Sequence, residues 1–136
     1  MATGTAVRVE VVGEKELRRK LDRAGDDSLK AMGAGLELGA QVIVGAAIQN
    51  IRDKDIIDTG NLMNSVQSWR PLYEGENVSV DIGTPVEYGT YHEFGTIHMG
   101  ARPWLRPAFD ENVDKARAVV SASLQRRLDS LKGGTA

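Results

Sequence analysis

The chain has no cysteine, which excludes a disulfide framework and any thiolate metal site and permits a reducing cytoplasm. It has only two histidines, too few for the three-ligand sets of most catalytic zinc sites. It lacks a basic excess, with 17 Lys and Arg against 19 Asp and Glu, so it does not read as a general nucleic-acid binder. No basic start followed by an apolar run opens the sequence, as a secretory signal would. Its most apolar stretch, from Leu36 to Ile51, is interrupted by Glu37, Gln41 and Gln49, so no membrane span is expected. The expectation is a soluble chain that stays inside the cell when made.

What is present fits one domain over residues 1–136, with 1–5 and 133–136 expected to fray. Val7, Val9 and Val11 alternate with Arg8, Glu10 and Val12, the period of a half-buried strand that ends at Gly13. Leu17, Leu21 and Ala24 then mark a short amphipathic helix ending near Gly25. Asp26 or Asp27 can cap a longer helix whose stripe is Leu29, Met32, Leu36, Ala40, Ile43, Ala47 and Ile51. Leu38, Val42 and Ala46 widen that stripe, which predicts burial on more than one side.

Gly33, Gly35, Gly39 and Gly45 each cost this helix about 1 kcal/mol relative to alanine. They imply a close neighbour, either another element of the same chain or a helix of another subunit.

Asp58 or Thr59 can cap a short helical turn that points Leu62 and Val66 inward. Trp69-Arg70-Pro71 favours extended chain, and Val78, Val80 and Ile82 alternate beyond a turn at 74–77, predicting a β-hairpin. Thr84 is placed to cap another short helix, with Val86, Tyr88, Tyr91 and Phe94 supplying apolar contacts. Gly95 would end that helix in a left-handed conformation. A loop spans 95–103. Pro107 opens the last helix, with Asp110 and Glu111 in its first turn and Phe109, Val113, Ala116, Val120, Leu124, Leu128 and Leu131 as its stripe. The fold class is α+β: a small antiparallel sheet with a long central helix and a C-terminal helix packed on it.

Chemistry is concentrated between Val86 and Pro107, which holds most of the aromatics, two of the four prolines and both histidines. His92, Glu93 and His98 invite a metal reading. The helical zinc motif needs histidines four apart, however, and position 96 is Thr. Ser65 and Ser68 lack the glycine elbow of hydrolases, and Asp53, Asp55, Asp58, Glu87 and Glu93 read as ordinary surface charge. The glycines match neither a dinucleotide fingerprint nor a P-loop. Arg8, Arg102 and Arg106 could touch phosphates, but Arg102 and Arg106 flank Trp104, where stacking or an ion pair with Glu93 competes. No catalytic, cofactor-binding or metal residue is assigned. The remaining business is contact: Thr96, His98, Met99 and Arg102, on or beside the loop, are candidate interface residues.

Two motifs, in order, carry a resemblance. Asp58-Thr59-Gly60-Asn61-Leu62, followed by Ser65-Val66, is similar to the D-T-G-x-L-x-x-S-[IV] signature of small head–tail joining proteins of long-tailed bacteriophages and prophages, also called tail-completion or neck proteins. Tyr88, Glu93, Phe94, Gly95 and Thr96, then Ala101-Arg102-Pro103-Trp104-Leu105 and Pro107-Ala108, resemble the same family's Y-x-x-x-x-E-F-G-T … A-R-P-[FW]-L-x-P-A.

The resemblance implies a non-enzymatic virion protein of the tail or neck, met in the host cytoplasm during assembly. It implies a homo-oligomeric ring, six-fold if it matches a tail tube. Adjacent partners would be a head-completion or stopper protein and a tail terminator or tail tube protein. DNA would pass through the lumen without sequence-specific binding, and no membrane is involved. The motif residues carry only structural and interface roles. A neighbouring tail-terminator ring is the alternative, and a small metal-dependent hydrolase using His92, Glu93 and His98 is the alternative from a different class.

Overall fold

The computed structural model describes residues 5–10, 15–54, 56 and 59–133. Strand β1 (Thr5–Glu10) leads to helices α1 (Lys15–Arg23) and α2 (Ser28–Asp53) and the short α3 (Thr59–Ser65). Strands β2 (Gln67–Ser68), β3 (Leu72–Glu74) and β4 (Asn77–Thr84) follow, then α4 (Glu87–Phe94) and α5 (Arg106–Gly133). This is the α+β arrangement expected from sequence, with one long helix and the C-terminal helix against a small antiparallel sheet.

Strand β4 is the centre of the sheet. β1 pairs along it from Thr5↔Thr84 to Glu10↔Ser79. β2 pairs at Gly83 and Ile82, and β3 pairs from Ser79 to Asn77. Because Ser79, Ile82 and Gly83 already face β1 on one edge, β2 and β3 must share the other. The Trp69 N–H donates to the Asp81 carbonyl at 2.9 Å between them. They are two pieces of one strand, interrupted at Arg70-Pro71, where proline cannot donate to a ladder. Among the described residues the sheet therefore has three strand positions. The β3–β4 hairpin turns at Gly75-Glu76, with Gly75 at φ 62, a conformation suited to the first central position of a two-residue turn.

Val78, Val80 and Ile82 alternate along β4 and are fully buried, with α2 lying across the sheet. The α2 stripe of Met32, Leu36, Ala40, Ile43, Ala47 and Ile51 is buried, as is Ala116, Val120, Leu124 and Leu128 of α5. By length and composition α2 could cross a membrane, but here its apolar stripe forms the core with α5 and β4. Three of its glycines have partners within the chain. A Cβ at Gly39 would meet Val120 Cγ2 at 2.7 Å and the Ala116 carbonyl oxygen at 3.0 Å, while one at Gly35 would touch Val120 at 3.5 Å. Gly33 lies under the Tyr73 ring. Gly45 faces open space. Close approach of elements of the same chain accounts for three of the four glycines.

Several expectations are corrected. Leu38 does not widen the buried stripe and is exposed, whereas Val42 and Ala46, half-buried, pack against the core as expected. Thr5 is part of β1, and Gly133 still belongs to α5. α5 begins at Arg106, one residue before Pro107, so Asp110 and Glu111 fall beyond its first turn. Asp27, of the two candidates, caps α2, its side chain accepting from Lys30 N at 3.4 Å. Asp26 instead forms a two-bond ion pair with Arg127 at 2.8 and 2.9 Å, fastening the start of α2 to the end of α5. Val11, Gly13, Asp58 and Gly134 lie outside the described residues, as does the side chain of Thr59.

Candidate functional site

The two motif regions meet at α4. This helix has an unusual inner face: its buried residues are Gly89, His92 and Glu93, at helical spacings of three and four. Of the four residues expected to supply apolar contacts, Val86 and Tyr88 pack against the core, but Tyr91 and Phe94 turn outward, 42% and 67% exposed. The inversion follows from what packs against the helix. The chain between Arg102 and Arg106 lies there and offers backbone N–H groups, which only polar acceptors can satisfy.

Glu93 supplies most of those acceptors. Its Oε1 accepts from Trp104 N at 2.9 Å and Leu105 N at 2.7 Å, and its Oε2 from Arg106 N at 3.2 Å. The Phe109 N–H returns to the Leu105 carbonyl, so these three donors bracket the first turn of α5. Glu93 is thus a helix cap delivered from another helix, satisfying orphan donors with an anion at the positive end of the macrodipole. Charge that sequence reading assigned to Asp110 and Glu111 comes from Glu93. Nor does Glu93 pair with Arg102, whose guanidinium instead reaches the Lys54 carbonyl at 3.4 Å, beside the C-terminal end of α2.

Trp104 closes the same contact. It is fully buried, and its indole N–H donates to the Gly89 carbonyl at 2.9 Å. Its own carbonyl accepts from the Asn50 side chain of α2 at 3.1 Å. Gly89 has no room for a side chain: a Cβ would lie 2.7 Å from Thr84 Cγ2, 3.0 Å from Leu62 Cδ1 and 3.4 Å from the Trp104 ring.

Leu62 and Ser65 bring in the first motif. Ser65 Oγ donates to the Leu62 carbonyl and lies 2.6 Å from Thr84 Oγ1. Ser65 has one hydroxyl hydrogen, so Thr84 must be the donor between them. Thr84 Oγ1 in turn accepts from Val86 N at 3.0 Å. Thr84 therefore ends β4 and joins α3 to the entry of α4; the N-cap residue of α4 is Val86, with no side-chain cap.

This clamp frames the loop. Gly95 accepts no substitute easily: φ is 79 and ψ 172, a region open essentially to glycine, with Ala101 N and Met99 O within 3.0 Å of a would-be Cβ. Its φ is positive as expected, but its ψ is extended and not helical. The Arg102 N–H donates to the His92 carbonyl and closes the base. Within, Thr96 and Met99 exchange backbone bonds at 2.8 and 3.3 Å, and His98 N donates to Thr96 Oγ1 at 3.2 Å. The turn lifts Ile97 into solvent, 95% exposed.

Thr96, His98 and Arg102 are exposed and Met99 half-buried, so all four candidate interface residues border this turn. Sequence reading missed Ile97 and gave Phe94 an inward role. The one available signal was the Gly89, His92, Glu93 spacing, which reserves a face of α4 for small and polar groups.

The histidines do not share a site. His92 is buried under α4, its ring edge-on to Tyr88 at 6.0 Å and its Nδ1 without a partner among the described residues. Burial, with the nearby Arg102 charge, lowers its pKa below the usual histidine value. Among the described residues no group of three or more His, Asp or Glu side chains gathers for a metal. Arg8, a candidate phosphate contact, holds the buried Asp81 of β4 in a two-bond ion pair at 2.7 and 3.2 Å.

A family model described as "Bacteriophage HK97-gp10, putative tail-component" matches residues 15–95, more than half of the chain. It takes in the Asp58–Val66 motif and ends at Gly95, so Trp104 and the N-terminus of α5 lie beyond the match. No curated protein and no solved structure matches.

Proposed function

From the premise that the chain belongs to the HK97-gp10-like family of phage tail components, we propose that it is a head–tail joining protein. In this reading it forms a ring, six-fold if it follows a tail tube, between the head-completion or stopper protein and the tail terminator or tail tube. DNA passes through the lumen without sequence-specific contact. Assembly takes place in the host cytoplasm. The role is architectural and not enzymatic.

One observation carries the proposal: a clamp, Glu93 on the α5 N-terminus, holds out a turn whose tip, Ile97, is apolar and exposed. A chain that buries Glu93 to expose Ile97 has a presented surface, and exposed apolar groups held by rigid elements mark sites of association. The tail-component family supplies the setting in which such a surface is used.

Complementation tests the reading. A phage or prophage lacking the gene should yield separate heads and tails in micrographs, and the intact chain should restore joined virions. Tails that are aberrant along their length, with heads still attached, would contradict a joining role.

A further inference from the structure

Helix α2 is more apolar than its burial accounts for. A helix that is apolar on every side is ordinarily covered on every side. Only 50% of the most apolar 18-residue window of α2 is buried, although its stripe against β4 and α5 is complete. What stays uncovered is one line of residues. Ala34, Leu38, Gln41, Gly45 and Gln49 recur at spacings of three and four, so they share a face, and all are exposed. The same spacing extends the line to Lys30 at one end and Asp53 at the other, both exposed. Leu38, 48% exposed, is its one large apolar residue.

Gly45 belongs to this line. It costs the helix stability relative to alanine, yet a Cβ there would meet nothing within 4 Å. Gly33, Gly35 and Gly39 each make room for a neighbour in the chain; Gly45 makes room for none.

The line is complementary to itself. Set antiparallel against its own copy, with Leu38 opposite Gly45, it has a two-fold axis between Gln41 and Val42. Lys30 then falls opposite Asp53, and Glu37, at the edge of the face, opposite Ala46. Arg52 falls opposite Ala31, one turn from Asp27. Opposite residues carry no like charges, and each leucine enters the space left by a glycine. A parallel arrangement would instead set Leu38 on Leu38 and Lys30 on Lys30.

We infer that the free chain pairs with a second copy of itself through this face of α2, Leu38 of each packing on Gly45 of the other. The contact is isologous, so it closes at two copies. It stands apart from the ring reading, which needs a heterologous contact made elsewhere on the subunit.

The absence of cysteine makes the contact simple to trap. Full-length protein carrying Gln41→Cys is oxidised and run without reductant beside Asp114→Cys, whose position is exposed on α5. Sedimentation measures mass in parallel. The expected result is a linked dimer and nothing larger from Gln41→Cys, and no linked product from Asp114→Cys. Gly45→Leu should raise the dissociation constant of the dimer at least about tenfold. It should leave the thermal midpoint no lower where the chain is monomeric, because the new side chain touches nothing in its own chain. Lys30→Asp should weaken pairing, and adding Asp53→Lys should restore it. A chain that is monomeric at every concentration would overturn the inference. So would a dimer that Gly45→Leu leaves intact, or Gln41→Cys products larger than a dimer. Each of these failures leaves the place of the chain in the virion standing, which complementation of the gene tests separately.

Discussion

Glu93 and Trp104 hold each other through the backbone: the Glu93 carboxylate accepts the Trp104 N–H at 2.9 Å, while the indole N–H returns to α4 at Gly89. Between these anchors lies the loop of 95–103, whose tip exposes Ile97. The stability of the turn is therefore set in the core, eleven residues from Glu93 to Trp104.

Removing the carboxylate should be severe. Glu93→Ala strands three backbone donors at 104–106, of which two are buried, and should cost on the order of 3–5 kcal/mol. Glu93→Gln keeps one oxygen but loses the charge at the helix N-terminus, for about 1–2 kcal/mol. Urea denaturation measures both. Equal midpoints for wild type and Glu93→Ala would show that another group caps α5.

The two glycines of the loop should behave very differently. Gly95→Val meets both the positive φ and the Ala101 and Met99 backbones, whereas a Cβ at Gly100 meets nothing within 4 Å. Gly95→Val should cost roughly 2–4 kcal/mol and Gly100→Val under about 1. Thermal denaturation of the pair checks this, and equal small losses would contradict the assigned backbone.

Gly89→Ala tests the junction of the two motifs. Its methyl would overlap Thr84 and Leu62, so a loss of about 1–3 kcal/mol is expected despite alanine's better helix propensity. Trimming Leu62 to Val in the same chain should return part of it. No recovery in the double variant would place the strain elsewhere.

The pH dependence has a defined sign. His92 is held neutral by burial, so its folded pKa lies below the unfolded value of 6.5. Its contribution is complete above pH 6.5 and is lost as pH falls below that value, until the lowered folded pKa is reached. Asp26, lowered chiefly by its hydrogen bond with Arg127, acts in a separate acidic window. Its contribution is present above its unfolded value of 3.8 and vanishes as pH falls through its folded pKa. Urea midpoints should therefore drop between about pH 7.5 and 5.5 in wild type but not in His92→Leu. An unchanged slope in that variant would assign the effect to other groups.

Much of this architecture is legible in sequence because it is periodic. The stripes of α2 and α5, the alternation of Val78, Val80 and Ile82, an aspartate cap at position 26 or 27 and the turn at 74–77 all follow from spacing and residue type. The clamp is not periodic. Glu93 looks like a surface charge until the backbone of 104–106 is brought to it, and that approach is set by tertiary packing of Trp104 on Gly89. For the same reason Phe94 reads as core but faces solvent: the acceptors owed to three amides decide which side of α4 turns inward. The motif resemblance pointed to these residues without revealing why they matter to one another.

The central claim is a place in the virion. Electron microscopy of virions carrying a gold-labelled tag on this chain tests it directly, with joined particles confirming that the tagged chain is functional. The account requires label confined to a single band where the head meets the tail; label along the tail's length, or only at its distal tip, would contradict it.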